Sequence, residues 1–451
     1  MRTRFWSRSP WLARTGMLGL ALPLLACSAG KSSTSSATGG DASVDSGGFS
    51  PFDAAFDANA DTNLAVVSTL TGSVKAPEGT IPISGALVYL VPSAPAAIPS
   101  GVYCDTCVKL EAGTPYTFSK ADGSFSLGAV SLGPQMLVVQ KGQFRRVRSI
   151  NVTAGTVAVP VAMTTMPKKT DEAAGDTIPH MALVNGTWDA IDVSLARMGL
   201  GTITTTTDPI FHIPTTGVDK KTAPYDYYYG DPAYVPGSKG DYTKILDDYS
   251  VLSQYHVIFL PCSWSSGTTC DTSQPAADDA KAKTNLQNFV KAGGKVYATD
   301  YSYEFVRQIF PGYVHWQQEG SMSDIGAACL TGSWDSPAVS PDQGLTDWLA
   351  AQSITSFSVQ QNWTALSGVS PQQTVDEHGN PVTETPKIWV NATGSAYGTI
   401  PTTVSFQQQC GRVLYSTYHT ESSSSTLQPQ ERALLYILLE VGVCLGQVTI
   451  Q

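Results

Sequence analysis

The fold of the longer part of the chain is decided by residues 292–302, Ala-Gly-Gly-Lys-Val-Tyr-Ala-Thr-Asp-Tyr-Ser. Residues 278–292 have helical spacing, and the pair Gly293-Gly294 is a typical helix stop. Residues 295–300 form a short apolar run that predicts a strand, and helical spacing resumes over residues 301–309. A strand that is apolar throughout and lies between two helices predicts a parallel sheet covered by helices on both faces.

The same alternation of strands and helices extends in both directions from this stretch. Further strands are predicted at residues 181–185, 256–260, 386–393, 403–408 and 412–418. Helices are predicted at residues 188–200 and 428–442. Residues 178–451 are therefore expected to form an α/β doubly wound domain of the flavodoxin-like type. Residues 320–385 are polar and irregular, and we expect them to be an insertion with little regular structure.

Residues 67–165 show a different pattern, in which short β-rich runs alternate with turns, and this predicts a small antiparallel β-sandwich. Three pieces follow one another in a recognisable order: Thr-Gly-Ser-Val at residues 71–74, Pro-Ile-Ser-Gly-Ala-Leu-Val at 82–88 and Asp-Gly-Ser-Phe at 122–125. Together they resemble the carboxypeptidase regulatory-like domain, which is transthyretin-like. The resemblance implies a spacer, stabilising or adhesive module without catalytic groups.

The N-terminal residues have the features of an export signal. Four arginines precede an apolar run at residues 17–26, and a run of about ten residues is too short to span a bilayer. Leu-Leu-Ala-Cys at residues 24–27 resembles the lipobox of bacterial lipoproteins. The resemblance implies that residues 1–26 are a signal peptide and that Cys27 is acylated. The alternative is an ordinary signal peptide that happens to contain a cysteine.

Residues 27–66 are expected to be a disordered tether between the lipid and the folded part, because they contain few large apolar residues. The expected location is the outer membrane, with the protein facing the periplasm or the cell surface. The expected partner there is the lipid bilayer, contacted through acylated Cys27.

The net charge of the chain limits the classes of partner that are expected. The net charge is −10, and removal of the signal peptide with its four arginines would make it −14. An acidic surface disfavours nucleic acid as a partner. A saccharide or a protein remains as the expected partner, and no cofactor is expected.

Seven cysteines follow Cys27, and in an exported protein they are candidates for disulfides. The expected pairs are Cys104–Cys107, Cys262–Cys270 and Cys410–Cys444, which leaves Cys329 unassigned. A zinc site at Cys104-Asp-Thr-Cys107 would need a second pair of ligands nearby, and the sequence offers none. A thioredoxin-type site would need a helix after the motif, and none is predicted there. We therefore expect no metal site.

The carboxyl ends of the strands are where a doubly wound sheet binds its ligands. The predicted strand ends carry Asn185, Cys262, Asp300 and His419 with Glu421. Residues 292–302 and residues 411–421, Gly-Arg-Val-Leu-Tyr-Ser-Thr-Tyr-His-Thr-Glu, resemble two segments of class I glutamine amidotransferase-like proteins, including members of the trehalose-utilisation type.

In true amidotransferases of that family, a cysteine attacks the substrate amide, a histidine is its base and a glutamate orients the histidine. By resemblance, His419 and Glu421 keep the base and its orienting residue, whereas Asp300 occupies the position of the cysteine. Hydrolysis of an amide by the family mechanism is therefore not supported.

The arrangement as a whole also resembles a group of lipoproteins found in myxobacteria, which share the lipobox, the Cys-x-x-Cys sandwich and a late Cys-Gly-Arg-Val strand. We expect a membrane-anchored binding or scaffolding protein with a catalytically silent amidotransferase-like domain, rather than an enzyme. The alternative is a hydrolase that acts on a saccharide or cell-wall ligand through Asp300, His419 and Glu421. An open pocket around these three residues would favour the hydrolase, and a pocket filled by residues 320–385 would favour the silent domain.

Overall fold

The computed structural model describes residues 65–185, 188–207, 214–229, 237–262, 279–420, 426–443 and 449–450. The predicted signal peptide, Cys27 and almost all of the predicted tether lie outside these residues. The strands are β1 Ser68–Ser73, β2 Leu87–Val91, β3 Lys109–Leu110, β4 Tyr116–Phe118, β5 Ser124–Ala129, β6 Gly133–Lys141, β7 Phe144–Val152, β8 Gly155–Ala158, β9 Asp176–Thr177, β10 Met181–Asn185, β11 Ile203–Thr207, β12 Pro214–Val218, β13 Asp226–Tyr229, β14 Val257–Leu260, β15 Lys295–Thr299, β16 Val314–Trp316, β17 Cys329–Val339, β18 Phe357–Thr364, β19 Leu366–Val369, β20 Gln372–Val375, β21 Pro381–Glu384, β22 Lys387–Ser395, β23 Gly398–Gln408, β24 Gly411–Ser416 and β25 Thr449–Ile450.

Helices are few and mostly short. The α-helices are α1 Val161–Thr164, α2 Ile191–Arg197, α3 Thr243–Leu246, α4 Tyr249–Leu252, α5 Ala280–Lys291, α6 Glu304–Arg307, α7 Gln343–Ala351 and α8 Pro429–Val441, and 3-10 helices span Glu172–Ala174 and Asp300–Tyr303. Among the described residues, no helix is both long and apolar enough to cross a membrane. The described part of the chain is thus mostly β-sheet.

The N-terminal part forms two small sheets that pack face to face. One has the order β5-β1-β8 and the other has the order β4-β2-β6-β7-β9. Alternate residues of β1 and β2 point into a common core, where Leu70 and Val88 are completely buried. A small sandwich is therefore present as predicted, but it is not wholly antiparallel, because β1 and β8 pair parallel.

The C-terminal part is built on one nine-stranded sheet with the order β13-β10-β14-β15-β24-β23-β22-β17-β18. The strands from β13 to β24 run parallel, and the strands from β23 to β18 pair antiparallel. On one face, Leu195 of α2 and Ile437 of α8 lie in the same core as the sandwich residues. On the other face, Phe289 of α5 packs with Val296 of β15 in a second core.

The prediction of an irregular insertion at residues 320–385 is wrong. This segment supplies β17 and β18 at the edge of the large sheet, helix α7 and the hairpin β20–β21. The pattern was missed because most buried positions of β17 and β18 are small or polar, with Val359 as the exception. In β17 they are Ser336 and Ala338, and in β18 they include Asn362 and Thr364. Such strands lack the apolar alternation by which a half-buried strand is recognised.

A long-range disulfide joins Cys104 to Cys410, 306 positions apart. The expected local bridge between Cys104 and Cys107 is therefore wrong, as is the expected bridge between Cys410 and Cys444. The loop that carries Cys104 packs against Gly293, where an added Cβ would lie 1.8 Å from the carbonyl oxygen of Tyr103. This packing brings the two cysteines together, and cysteine spacing along the chain contains no information about it.

The remaining cysteines also depart from expectation. Cys262 is a buried free thiol, so its expected bridge to Cys270 is wrong. Cys107 and Cys329 both take part in disulfides. Cys270 and Cys444 lie outside the described residues.

The two residues after Cys410 connect the last parallel strand to two helices. A Cβ on Gly411 would lie 2.1 Å from the carbonyl oxygen of Val290, so only glycine lets β24 approach α5 this closely. The Nη1 atom of Arg412 donates to main-chain carbonyls at the end of α8. These belong to Glu440 at 3.3 Å, Val441 at 3.4 Å and Val443 at 3.0 Å. A buried cation thus satisfies carbonyls that a helix end leaves without partners.

Candidate functional site

Asp300 lies directly after β15, at the carboxyl end of the parallel strands. Its φ is +45°, in the left-handed region that residues with a Cβ rarely adopt. The side chain is completely buried, and the Tyr415 hydroxyl donates to the Asp300 carbonyl oxygen at 2.9 Å. The backbone therefore makes a sharp, supported turn from strand to 3-10 helix at this residue.

The carboxylate of Asp300 is covered by the edge strand β18. The backbone N–H of Trp363 donates to both carboxylate oxygens, at 3.1 Å and 3.2 Å, and the Thr364 hydroxyl donates to Oδ1 at 3.1 Å. The Thr364 hydroxyl also lies 2.8 Å from the Tyr415 hydroxyl. Most of the carboxylate's hydrogen-bonding capacity is thus used by the protein itself.

The pKa of the Asp300 carboxyl is raised well above its usual range, chiefly because the group is buried. The nearby charge of Asp189 raises this pKa further, whereas the hydrogen bonds from Thr364 and Trp363 act to lower it. A carboxyl group in this environment is held in its neutral form to higher pH than an exposed one.

His419 is the second predicted site residue that the structure places here. Its Nε2 atom lies 3.8 Å from Oδ2 of Asp300, a distance that fits an ion pair and is too long for a hydrogen bond. The His419 side chain is also buried. Glu421 and the side chain of Asn185 lie outside the described residues. The structure thus brings Asp300 and His419 close together.

Asp189 is a site residue that the sequence analysis missed. Its Oδ1 accepts hydrogen bonds from the backbone N–H of Thr420 at 3.0 Å and from the Thr420 hydroxyl at 2.6 Å. Its Oδ2 accepts from the Thr299 hydroxyl at 2.6 Å. Asp189 falls within the helix predicted at residues 188–200, whereas α2 begins only after Ala190 and has no side-chain cap. Asp189 instead ties the end of β15 to the segment after β24.

Cys262 is the one described thiol near Asp300 that is not in a disulfide. Its backbone N–H donates to the Thr299 hydroxyl at 2.8 Å, and its sulfur accepts a hydrogen bond from the backbone of Tyr301. Burial raises the pKa of this thiol well above its usual value, and the charge of Asp300 adds to the effect. The thiolate, which is the reactive form, is therefore disfavoured.

The described cavities lie away from Asp300 and His419. One apolar cavity lies between the sandwich and helix α8, and a polar cleft lies beside α7; neither is lined by Asp300 or His419. In the part of the chain that the structure describes, no group of three or more histidine, cysteine or acidic side chains is arranged to hold a metal ion. Among the described residues, the enclosure of the Asp300 carboxylate is provided by Trp363 and Thr364 of β18.

Comparison with known proteins gives weak structural similarity only. The sequence matches no protein-family model, and no curated protein matches it. A ThuA-like protein from Bacteroides uniformis is similar over 58% of this chain and 91% of its own, at 14% identity and a TM-score of 0.30. PurLQS from Thermotoga maritima is similar over 58% of this chain and 99% of its own, at 10% identity and a TM-score of 0.32.

A β-galactosidase from Bacillus circulans is similar over 49% of this chain and 25% of its own, at 14% identity and a TM-score of 0.25. Likenesses of this size assign no activity to the chain.

Proposed function

We propose that this chain is an exported, lipid-anchored binding or scaffolding protein. In this proposal, acylated Cys27 holds it to the outer membrane and the sandwich is a carboxypeptidase regulatory-like spacer. The larger part is a doubly wound, amidotransferase-like domain that has no catalytic activity. The observation that carries the proposal is the enclosure of the Asp300 carboxylate by Trp363 and Thr364 of β18.

Two further features support a silent site. A carboxylate is a poor nucleophile toward an amide, and Asp300 stands where the related enzymes have a cysteine. The nearby free thiol, Cys262, has a raised pKa and is completely buried, so it is a poor substitute. Neither Asp300 nor Cys262 lines either of the two cavities found among the described residues.

The first experiment tests whether the site lacks activity for reasons beyond the missing nucleophile. Ammonia release from glutamine is measured for the parent protein and for Asp300→Cys, with folding verified by near-UV circular dichroism. We expect no release above the buffer rate from either protein, because β18 still covers position 300. Ammonia release by Asp300→Cys would contradict the proposal, since it would mean that substrate reaches this position.

The same preparations test the alternative, a hydrolase that uses Asp300 and His419. Hydrolysis of a panel of nitrophenyl glycosides and of peptidoglycan is measured with the parent protein, His419→Ala and Asp300→Ala. We expect no turnover by any of them. Turnover by the parent that is lost in both variants would replace the proposed function with a hydrolase.

The anchor is tested by fractionation of cells that produce the full-length chain. Cys27→Ala should move the protein from the membrane pellet to the soluble fraction, because the lipid attachment atom is gone. Cys262→Ala is the matched control and should leave the protein in the pellet. Recovery of Cys27→Ala in the pellet, without attached lipid, would contradict the anchor.

A further inference from the structure

A polar cleft of about 360 Å³ lies between the sandwich and the helices α7 and α8. Its sandwich wall is fixed to α7, because the indole N–H of Trp348 donates to the Pro82 carbonyl oxygen at 2.8 Å. Gln352, which follows α7, and Arg432, in the first turn of α8, form the opposite wall. The volume is in the range of sites that bind small molecules.

Two cationic side chains face this cleft, Lys75 and Arg432. The chain has a net charge of −10, and two other described arginines, Arg146 and Arg148, both contact Asp176 at 2.8 Å. Among the residues that the structure describes, neither Lys75 nor Arg432 has a carboxylate within 4.0 Å.

The one side-chain hydrogen bond of Arg432 in the described part of the structure runs from Nη1 to Oε1 of Gln352. The rest of its guanidinium group remains for a ligand. Arginine presents its donors as a planar fork that matches a carboxylate in two-point contact. Lys75 adds a second positive charge in the same cleft.

The cleft also contains a rigidly held acceptor, Asp122, at the turn before β5. Oδ1 of Asp122 accepts the backbone N–H of Ser124 at 2.8 Å. Hydrogen bonds from Ser124, with the charges of Lys120 and Lys75, hold the pKa of this carboxyl below its usual range. The turn requires glycine at position 123, because a Cβ there would lie 2.4 Å from the Val74 carbonyl oxygen.

We propose that this cleft binds a hexuronate, a sugar acid that combines one carboxylate with several hydroxyls. The sugar carboxylate pairs with Arg432 and Lys75, and Asp122 and Thr80 bond the hydroxyls. Ile81 and Pro82 line the cleft between these polar groups, and the small part of them that is exposed is its apolar portion. Inorganic phosphate lacks the ring of sugar hydroxyls, and its negative charge would be repelled by the carboxylate of Asp122. The site shares no lining residue with the Asp300 region and does not depend on the function proposed for it.

Calorimetric titration of the full-length protein with glucuronate, glucose and inorganic phosphate tests this site. We expect saturable binding of glucuronate. Binding of glucose, which lacks the carboxylate, and of phosphate, which lacks the sugar hydroxyls, should be at least about tenfold weaker. Arg432→Gln and Lys75→Gln should each weaken glucuronate binding by about tenfold, as expected for the loss of a charged hydrogen bond. Lys168→Gln, an exposed cation outside the cleft, is the matched control and should leave it unchanged.

Thermal unfolding of each variant separates loss of the site from loss of the fold, and Lys75→Gln serves if Arg432→Gln does not fold. Equal binding of phosphate and glucuronate would overturn the proposal, as would glucuronate binding that survives both cleft substitutions. Absence of saturable glucuronate binding to the parent protein would also overturn it. If a hexuronate trimer binds more tightly than the monosaccharide, the ligand is the end of a polymer. If the trimer binds more weakly, the ligand is a free sugar acid.

Discussion

The backbone N–H of Trp363 bonds both oxygens of the Asp300 carboxylate, although the two residues are 63 positions apart. Asp300 belongs to the turn after a parallel strand, and Trp363 belongs to an edge strand of the same sheet. Because β18 supplies the donors, the Asp300 carboxylate is enclosed only when this edge strand has formed.

The buried carboxyl of Asp300 is expected to lower stability at neutral pH. The pKa of this carboxyl is raised in the folded chain, whereas it is about 3.9 in the unfolded chain. The folded state therefore keeps the carboxyl proton at pH values where the unfolded state has lost it. The contribution of this group to stability therefore falls as pH rises above about 4 and through the folded-state pKa. Asp300→Asn should raise the free energy of unfolding at pH 7 by about 1 kcal/mol.

Urea unfolding at pH 4 and pH 7 measures this effect. The gain from Asp300→Asn should be smaller at pH 4, where the carboxyl of the parent is protonated. Asp347→Asn, on the exposed face of α7, is the control and should change stability little at either pH. If Asp300→Asn were less stable than the parent at pH 7 but not at pH 4, the ionised carboxylate of Asp300 would be the form that stabilises the fold, which would contradict the prediction.

Gly293 is expected to tolerate no side chain. Its φ is +116°, and an added Cβ would lie 1.8 Å from the carbonyl oxygen of Tyr103, a backbone atom that cannot rotate away. Gly293→Ala should lower the free energy of unfolding by about 3 kcal/mol. Gly332→Ala, on β17, has nothing within 4 Å of the new Cβ and should be nearly neutral in the same urea titration. Similar stability of the two variants would mean that the loop at Tyr103 adapts freely.

The Cys104–Cys410 bridge is expected to be a major contributor to stability, because it closes a very long loop. Replacing both cysteines by serine should cost about 2–5 kcal/mol under non-reducing conditions, mainly through greater freedom of the unfolded chain. The control is Cys262→Ala, which removes a buried thiol without opening a bridge and should cost about 1 kcal/mol. Equal losses in the two proteins would mean that the bridge adds nothing beyond its packing.

His256 is expected to make the protein sensitive to acid. Its Nδ1 accepts the backbone N–H of His180 at 2.8 Å and its Nε2 donates to the Pro99 carbonyl oxygen at 3.0 Å, so these contacts require the neutral ring. Burial is the main cause that lowers the pKa of His256 to about 4. Its contribution to stability is complete above the unfolded-state pKa of about 6.5 and is lost as pH falls through about 4.

The loss over this window should approach about 3 kcal/mol, since one pKa unit corresponds to about 1.4 kcal/mol. His256→Gln removes the titrating ring and should flatten the dependence of unfolding free energy on pH between 4 and 6.5. His378→Gln, at an exposed position, should keep the slope of the parent. An unchanged slope in His256→Gln would assign the acid sensitivity to other groups.

Local apolar patterning was enough to predict the elements around residues 292–302. The helix before Gly293 is predictable from its helical periodicity, and the strand β15 is predictable as a short run that is buried throughout. The small sandwich was predicted for the same reason. Its strands alternate buried and exposed residues, as β5 does.

Features that rest on contacts between distant segments were not predictable in this way. The edge strand β18 buries the polar residues Asn362 and Thr364 beside the single apolar residue Val359, and Asp189 reaches Thr420 across 231 positions. The prediction of the disulfides was wrong for the same reason, because local spacing favours Cys107 as the partner of Cys104, whereas packing selects Cys410. Polar side chains that satisfy one another leave no periodic signal in the sequence.

The segment Cys410-Gly411-Arg412 has a consequence for how relatives of this protein would be recognised. Each of its three residues is required by a different neighbour: the bridged loop, helix α5 and the end of helix α8. None of them contacts Asp300 in the structure. A chain that shares this tripeptide before an apolar strand would therefore be expected to share the assembly of the fold, and the tripeptide would say nothing about its chemistry.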